Sequence, residues 1–183
     1  CDIQAGGLHN AIAREAHAIV VTPSERVTAL IGDLCEFGTR IKEEFSSTEP
    51  DVMFLASETN LPSDSLTRTQ TERILKSLSV VHNGVFAMSQ DIDDLVETSS
   101  NLANIKREGN QIIVNTSQRS SVASNLTYMA EVVRAAFELG GAKCVTNEGY
   151  PGWKVNPKSE IVKVAVASYK RLFKKEPKVR AIH

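Results

Sequence analysis

Hydrophobic and polar residues in the first third of the chain follow strand spacing first and helix spacing afterwards. Gly6-Gly7 separates two extended segments, and the second of these, 16–21, ends in a β-branched run that is typical of a core strand. Thr22-Pro23 then provides a helix start signal. Apolar residues recur every three or four positions after it, at Val27, Leu30, Ile31, Leu34, Phe37 and Ile41. Because another apolar run follows at 52–56, the pattern predicts a ββαβ unit.

The rest of the chain predicts a second set of helices and strands. One helix is expected to end at His82-Asn83-Gly84, another to run from Ser121 to Gly140-Gly141, and a last one to span 159–174. A hairpin is expected to turn at Glu108-Gly109-Asn110. The predicted strands of this part are 85–88, 96–105, 111–117 and 143–146. The second part therefore also contains the order ββαβ.

A short internal repeat relates the two parts. The series Ile12, Arg14, Glu15, Ile19 and Val21 recurs with the same spacing at Ile105, Arg107, Glu108, Ile112 and Val114. Both series flank a predicted hairpin turn, which favours an internal duplication over chance agreement in a short window. The predicted fold class is α+β, with duplicated ferredoxin-like ββαβ units, an antiparallel sheet and helices packed on one face. The two parts are expected at about 1–58 and 59–183.

Composition argues for a globular protein and against a nucleic-acid partner. The 183 residues are 42% hydrophobic, and 21 Lys and Arg stand against 22 Asp and Glu, so no overall charge attracts a polyanion. Only 5% of residues are aromatic, which is too few for an RNA-binding sheet. No apolar run approaches the roughly 20 residues of a membrane helix, and the start lacks a signal peptide. We therefore expect a cytoplasmic protein without membrane partners.

The sequence contains no recognisable catalytic set. Its histidines His9, His17, His82 and His183 include no short-spaced pair of the kind that begins a metal site. The acidic run 91–94 lacks the glycine and the closing glutamate of a calcium loop. No nucleophile elbow, phosphate loop or dinucleotide fingerprint is present. The three cysteines lie far apart and suggest ordinary thiols rather than a disulfide framework.

Four stretches, taken in order, resemble aminoacyl-histidine dipeptidases of the M20 metallopeptidase family. They are Gly6-Gly7-Leu8-His9-Asn10-Ala11-Ile12-Ala13-Arg14-Glu15, Val96-Glu97-Thr98-Ser99-Ser100-Asn101, Gln118-Arg119-Ser120 and Gly149-Tyr150-Pro151-Gly152-Trp153. The family form of the first stretch is N-A-I-P-R-E, so Ala13 replaces its proline. Ala181-Ile182-His183 also resembles the lead into a family strand that carries A-G-L-E-C-G. The resemblance extends over nearly the whole chain.

The resemblance implies a fragment of a larger enzyme. Such enzymes hold two zinc ions in a catalytic domain, with a bridging hydroxide as nucleophile and a glutamate as general base. Their lid is inserted into that domain, carries a G-G-H-S-G histidine and mediates dimerisation. We expect residues 1–183 to be this lid and dimerisation domain, without the histidine, the catalytic domain or any metal ligand. The expected partners are a dipeptide substrate, the missing catalytic domain of the same chain and a second copy, and the fragment alone is expected to be inactive.

Two polar residues are the main candidates for substrate contacts. A guanidinium group can bind the C-terminal carboxylate of a dipeptide through two parallel charge-assisted hydrogen bonds, and Arg119 lies at the end of a predicted strand. The alternative is a surface arginine paired with a neighbouring carboxylate. Asn10 follows a double glycine, so its amide can project from a tight turn towards a tetrahedral intermediate. The alternative is an asparagine that bonds only its own backbone.

The remaining candidates are weaker, and a second function stays open. Tyr150 and Trp153 belong to a rigid loop that can shape the pocket over a histidine side chain, or can simply pack as core aromatics. The run 98–101 can line the cleft, or can be the solvent face of a strand. The alternative function is a non-enzymatic α/β binding or assembly module whose sheet edges pair between chains.

Overall fold

The structure is a computed structural model that describes residues 2–152, 156 and 159–178. In chain order its elements are β1 Asp2–Ala5, β2 Ala16–Ile19, α1 Val27–Glu44, α2 Arg68–Val80, β3 Gly84–Met88, β4 Val96–Glu108, β5 Gln111–Ser120, α3 Ala123–Leu139 and α4 Glu160–Phe173. A single 3₁₀ turn, Ser24–Arg26, precedes α1. Helices and an antiparallel sheet occur together, so the predicted α+β class is confirmed. Within the described ranges, no helix has the length and apolar character to cross a membrane.

The long strand β4 is the centre of the sheet. Most of its length pairs with β5 along one edge, from Thr98 opposite Ser120 to Glu108 opposite Gln111. Its other edge is shared, because β3 pairs with the beginning of β4 and β1 pairs at Ile105. β2 continues the sheet beyond β1. The predicted hairpin turn is confirmed at Gly109, whose φ of 58° suits a residue without a Cβ.

The chain divides into two compact units, one formed by 1–3 with 17–66 and the other by 4–16 with 67–183. In the second unit, α3 packs against β4 and β5, and α2 packs against α3. Its buried core consists of Val81, Met129, Val133 and Ala136, with Leu102 and Phe137 packed around it. The helix α2 begins with a capping box, in which the Thr67 and Gln70 side chains each bond the other's backbone N–H. The packing of α3, itself backed by α2, thus holds one face of the β4–β5 hairpin in place.

In the first unit, the strand predicted at 52–56 is wrong. The segment has no regular secondary structure, and Phe54 instead packs against α1. The rings of Phe37 and Phe54 meet edge to face with their centroids 5.7 Å apart. A Cβ on the buried Gly38 would lie 2.8 Å from the Phe54 side chain, so glycine makes the close packing possible. Phe54 is the residue of this run that packs on the helix, whereas Met53 and Leu55 are 82% and 88% exposed, so the run does not form a buried strand.

The strand predicted at 143–146 is also wrong. This segment follows the positive φ of Gly141 and bonds to α3 rather than to a strand. The Arg134 guanidinium donates to the Thr146 hydroxyl at 2.8 Å, and the Cys144 thiol lies 3.8 Å from the Arg134 carbonyl oxygen. The elements that recur in both parts are therefore a hairpin followed by a helix, ββα rather than ββαβ. The two hairpins differ, since residues 6–15 separate β1 from β2 and only 109–110 separate β4 from β5.

Candidate functional site

Asn10 lies in a tight turn within the connection between β1 and β2. The Ala11 N–H donates to the Leu8 carbonyl oxygen at 3.3 Å and closes this turn. Gly6 begins the connection with a φ of 58°, and its N–H donates to the Glu15 carbonyl oxygen at 2.9 Å. The Asn10 side chain is exposed and has no hydrogen bond within the described part of the chain. It does not bond its own backbone, so its amide is available to a ligand.

Arg119 projects from β5 next to the end of the sheet. It pairs in register with Ser99 of β4, and the next pair along the hairpin is Ser117 with Asn101. Because side chains alternate along strands, these four residues share one face of the hairpin. The residues between them face the other way, and Thr98 and Ser120 are buried there with their hydroxyl oxygens 2.8 Å apart. The hairpin thus presents a two-by-two polar patch.

A cavity of about 250 Å³ joins the turn to this patch. It is lined by Asn10 and Ile12 of the turn, by Ser99 and Asn101 of β4, and by Ser117 and Arg119 of β5. The structure therefore brings together two predicted candidates that are far apart in the sequence. Within the run 98–101, it separates the cavity-lining residues from the buried Thr98 and Ser100, because they lie on opposite faces of β4.

The cavity is suited to binding a small anionic group. Arg119 is the charged member of its lining, and its guanidinium forms no ion pair with a carboxylate in the described ranges. The other lining side chains supply amides, hydroxyls and one aliphatic surface. None of them is a carboxylate, an imidazole or a thiol, which are the usual groups for proton transfer. The arrangement can hold and orient a carboxylate-bearing ligand, but the lining provides no general base.

The aromatic loop is only partly described. Tyr150 is 79% exposed and does not line the cavity, and Trp153 lies outside the described residues. The backbone of this loop nevertheless runs close to the end of β5. A Cβ on Gly152 would lie 2.1 Å from the Ser120 carbonyl oxygen, directly after Arg119 in the chain. Gly152 therefore lies beside the arginine-bearing end of the hairpin.

Two lining residues and two supporting residues were not among the predicted sites. Ser117 could have been found from strand alternation, since it lies two positions before Arg119 on the same face of β5. Ile12 could not have been predicted to line the cavity, because the sequence shows it only as an apolar residue in a turn. Asn104 supports the turn by donating to the Gly7 carbonyl oxygen, and Asn115 donates to the Asn104 side-chain oxygen. Nothing in their local sequence distinguishes these two residues from ordinary surface asparagines.

Cys144 and Glu72, two groups with shifted pKa values, lie outside the cavity lining. Burial raises the pKa of the Cys144 thiol, and the nearby Glu138 carboxylate raises it further. Arg68 lowers the pKa of Glu72 through a hydrogen bond and its charge. In the described ranges, no three His, Cys, Asp or Glu side chains are grouped so as to hold a metal ion. The described residues therefore provide no site for the zinc ions that the sequence resemblance implies.

Comparison with known proteins points to dipeptidases. The chain is 27% identical over 182 residues to a cytosol non-specific dipeptidase of Escherichia coli strain K12, and the match covers all of this chain and 38% of that protein. Its structure is similar to the crystal structure of an aminoacylhistidine dipeptidase from Vibrio alginolyticus, with a TM-score of 0.92, 28% identity and coverage of all of this chain and 37% of that one. No family model matches the chain. The chain spans less than two fifths of each protein's length, and the predicted resemblance to part of an aminoacyl-histidine dipeptidase is confirmed in both sequence and fold.

Proposed function

We propose that this chain is the lid and dimerisation domain of a dizinc dipeptidase that hydrolyses Xaa-His dipeptides in the cytoplasm. The observation that carries the proposal is the shared cavity of Asn10 and Arg119, which the sequence separates widely. Similarity to two dipeptidases, one of them named as cytosolic, supports the same assignment. The dizinc centre belongs to a catalytic domain outside this sequence.

In this proposal Arg119 binds the C-terminal carboxylate of the dipeptide. A guanidinium fork offers two parallel donors to the two carboxylate oxygens, and Arg119 is not committed to an ion pair among the described residues. The neighbouring hydroxyls of Ser99 and Ser117 can complete the shell of the carboxylate. The cavity, of about 250 Å³, has room for the carboxylate-bearing end of a dipeptide.

Asn10 has a different task, because it lies on the turn rather than on the sheet. Its amide N–H donates to the oxygen that gains charge when the scissile carbonyl becomes tetrahedral. Closure of the lid over the catalytic domain brings this donor to the reacting group and excludes bulk water. The lid by itself binds no metal in this proposal and catalyses nothing, and a second copy of the protein completes the dimer.

The first test compares zinc-dependent hydrolysis of an Xaa-His dipeptide by this chain and by the product of its complete reading frame. We expect activity in the complete protein alone. Activity in the isolated chain would refute the inactive-lid proposal. Activity in neither would favour the assembly module and remove the roles of Asn10 and Arg119.

The second test assigns the carboxylate contact within the active complete protein. Replacing Arg119 by Ala removes a charged hydrogen-bonding pair of about 1.5–3 kcal/mol, so KM should rise by roughly 10- to 150-fold. The same change should matter little for a dipeptide whose carboxylate is capped as an amide. Arg40→Ala, on the exposed surface of α1, is the matched control and should leave KM unchanged. Equal losses for free and capped substrates would refute the assigned contact.

A further inference from the structure

An irregularity in β4 places two asparagines on the same face of the strand. The pairing with β5 shifts between Leu102 and Asn104, so that Ala103 is an extra residue on β4. The buried residues of β4 are accordingly even-numbered before the bulge, at Thr98 and Ser100, and odd-numbered after it, at Ala103 and Ile105. In an uninterrupted strand, Asn101 and Asn104 would point to opposite faces. The bulge turns both of them towards the connection that carries Asn10, as bulges beside functional sites often do.

Both asparagines donate to the backbone of that connection, one on each side of Asn10. The Asn101 amide donates to the Ala11 carbonyl oxygen at 2.8 Å, and the Asn104 amide donates to the Gly7 carbonyl oxygen at 3.2 Å. The Asn104 amide is itself oriented, because the Asn115 amide donates to its oxygen at 2.8 Å. Three asparagine side chains therefore fix both ends of the Asn10 turn to the β4–β5 hairpin.

Apolar burial does little to hold this turn. Leu8 is 67% exposed and Ile12 is 83% exposed, so the two large apolar side chains that flank Asn10 have little of their surface in contact with the protein. Among the residues that the structure describes, no strand pairs with the edge of β4 beside the turn, between the pairings of β3 and β1. There the Leu102 N–H is accepted by the Asn83 side-chain oxygen at 2.8 Å instead. The side-chain hydrogen bonds from Asn101 and Asn104 thus act together with the backbone bond from Gly6 to Glu15 in holding the turn.

The amide is also the appropriate chemistry at position 101. Asn101 lines the same cavity as Arg119, and an aspartate there would place a carboxylate in the arginine's cavity. Such a carboxylate would compete with an anionic ligand for the guanidinium. A neutral amide donates to Ala11 and leaves Arg119 to the ligand.

We infer that Asn101, Asn104 and Asn115 are positioning residues, which fix the Asn10 turn over the hairpin and so set the place of the Asn10 amide relative to Arg119. The inference rests on the proposed function, since it assigns the purpose of this geometry to the proposed substrate site. Asn104 is the most informative of the three, because it does not line the cavity and its removal costs the ligand no direct contact. Loss of Asn104 should therefore affect the placement of Asn10 and leave the Arg119 contact intact.

The first experiment measures backbone amide hydrogen exchange by NMR in this chain and in its Asn104→Ala variant. We expect the Ala11 amide, which closes the turn, to exchange about tenfold faster, the size expected for loss of one hydrogen bond. Amides of the β4–β5 ladder should keep their rates. Asn110→Ala, in the exposed hairpin turn, is the matched control and should leave Ala11 unchanged. Unchanged exchange at Ala11, or faster exchange throughout the hairpin, would overturn the inference.

The second experiment measures dipeptide hydrolysis by the complete protein with the same substitutions. A displaced transition-state donor should lower kcat by about ten- to a hundredfold while KM stays within about twofold. Asn104→Asp, which keeps the acceptor for Asn115 but loses the donor to Gly7, should behave like Asn104→Ala. An unchanged kcat in an active Asn104→Ala variant overturns the positioning role alone. Absence of hydrolysis by the unsubstituted complete protein overturns the proposed function instead, and with it the purpose assigned to the asparagines.

Discussion

Gly6 should be far less replaceable than its neighbour Gly7, although both belong to the same double glycine. Gly6 has a φ of 58°, and a Cβ added there would lie 2.2 Å from the backbone carbonyl oxygen of Ala103. Gly7 lies outside the positive-φ region, and a Cβ added there would meet no atom within 4 Å. Comparing Gly6→Ala with Gly7→Ala therefore separates the general effect of replacing a glycine by alanine from the effect of the close approach of Gly6 to the bulge in β4.

The expected magnitude follows from two separate costs. An alanine in the left-handed region loses about 1–2 kcal/mol. The clash with the Ala103 carbonyl oxygen cannot be relieved by a side-chain rotation, so the backbone must move. This movement weakens the hydrogen bond from the Gly6 N–H to the Glu15 carbonyl oxygen, and losing that bond costs about 1 kcal/mol. We expect Gly6→Ala to lower the free energy of unfolding of its unit by about 2–3 kcal/mol. Gly7→Ala should change it by no more than about 0.5 kcal/mol.

The assay must resolve the two compact units, because they need not unfold together. Urea unfolding followed by circular dichroism gives the total change, and native-state hydrogen exchange of β4 and β5 assigns it to the unit that contains Gly6. Equal effects of Gly6→Ala and Gly7→Ala would show that the approach to Ala103 does not constrain the turn. A loss confined to α1, in the other unit, would contradict the reasoning equally.

Two further predictions concern other parts of the chain. Gly38→Ala should destabilise α1 by about 1–3 kcal/mol, because the added methyl group overpacks against Phe54. Gly32→Ala in the same helix should stabilise it by about 0.5–1 kcal/mol, because a Cβ there meets no other atom. Hydrogen exchange of the α1 amides should change in opposite directions in the two variants, and equal changes would refute the prediction. Cys144 should be alkylated more slowly than the exposed Cys35 at pH 8, because burial raises the pKa of Cys144 and leaves less of it as thiolate. The alkylation rate of Cys144 should keep rising at higher pH. Peptide mapping by mass spectrometry measures both rates, and equal rates would contradict the prediction.

Local sequence signals predicted most of the regular elements. Apolar spacing and end signals identify the helices, and the β4–β5 turn follows from a glycine that can adopt a positive φ. The same signals failed at 52–56 and 143–146. An apolar run does not by itself make a strand, because a strand also needs a partner strand from another part of the chain. Neither run has such a partner among the described residues, and Met53, Leu55 and Val145 are 82%, 88% and 79% exposed. The first run packs on α1 through Phe54, and the second bonds to α3 through Arg134.

Motifs identified Asn10 and Arg119 as residues of interest, and the structure decided that they share a cavity. The register of β5 on β4 places Arg119 opposite Ser99, and a single extra residue at Ala103 turns Asn101 and Asn104 towards the turn. Neither the register nor the bulge is visible in the local sequence, because both depend on pairing between segments that are distant along the chain. The sequence by itself thus determined the helix and strand propensities and the chemical character of the candidate residues. The tertiary structure alone determined their spatial relation, since hydrogen bonds across the sheet set it.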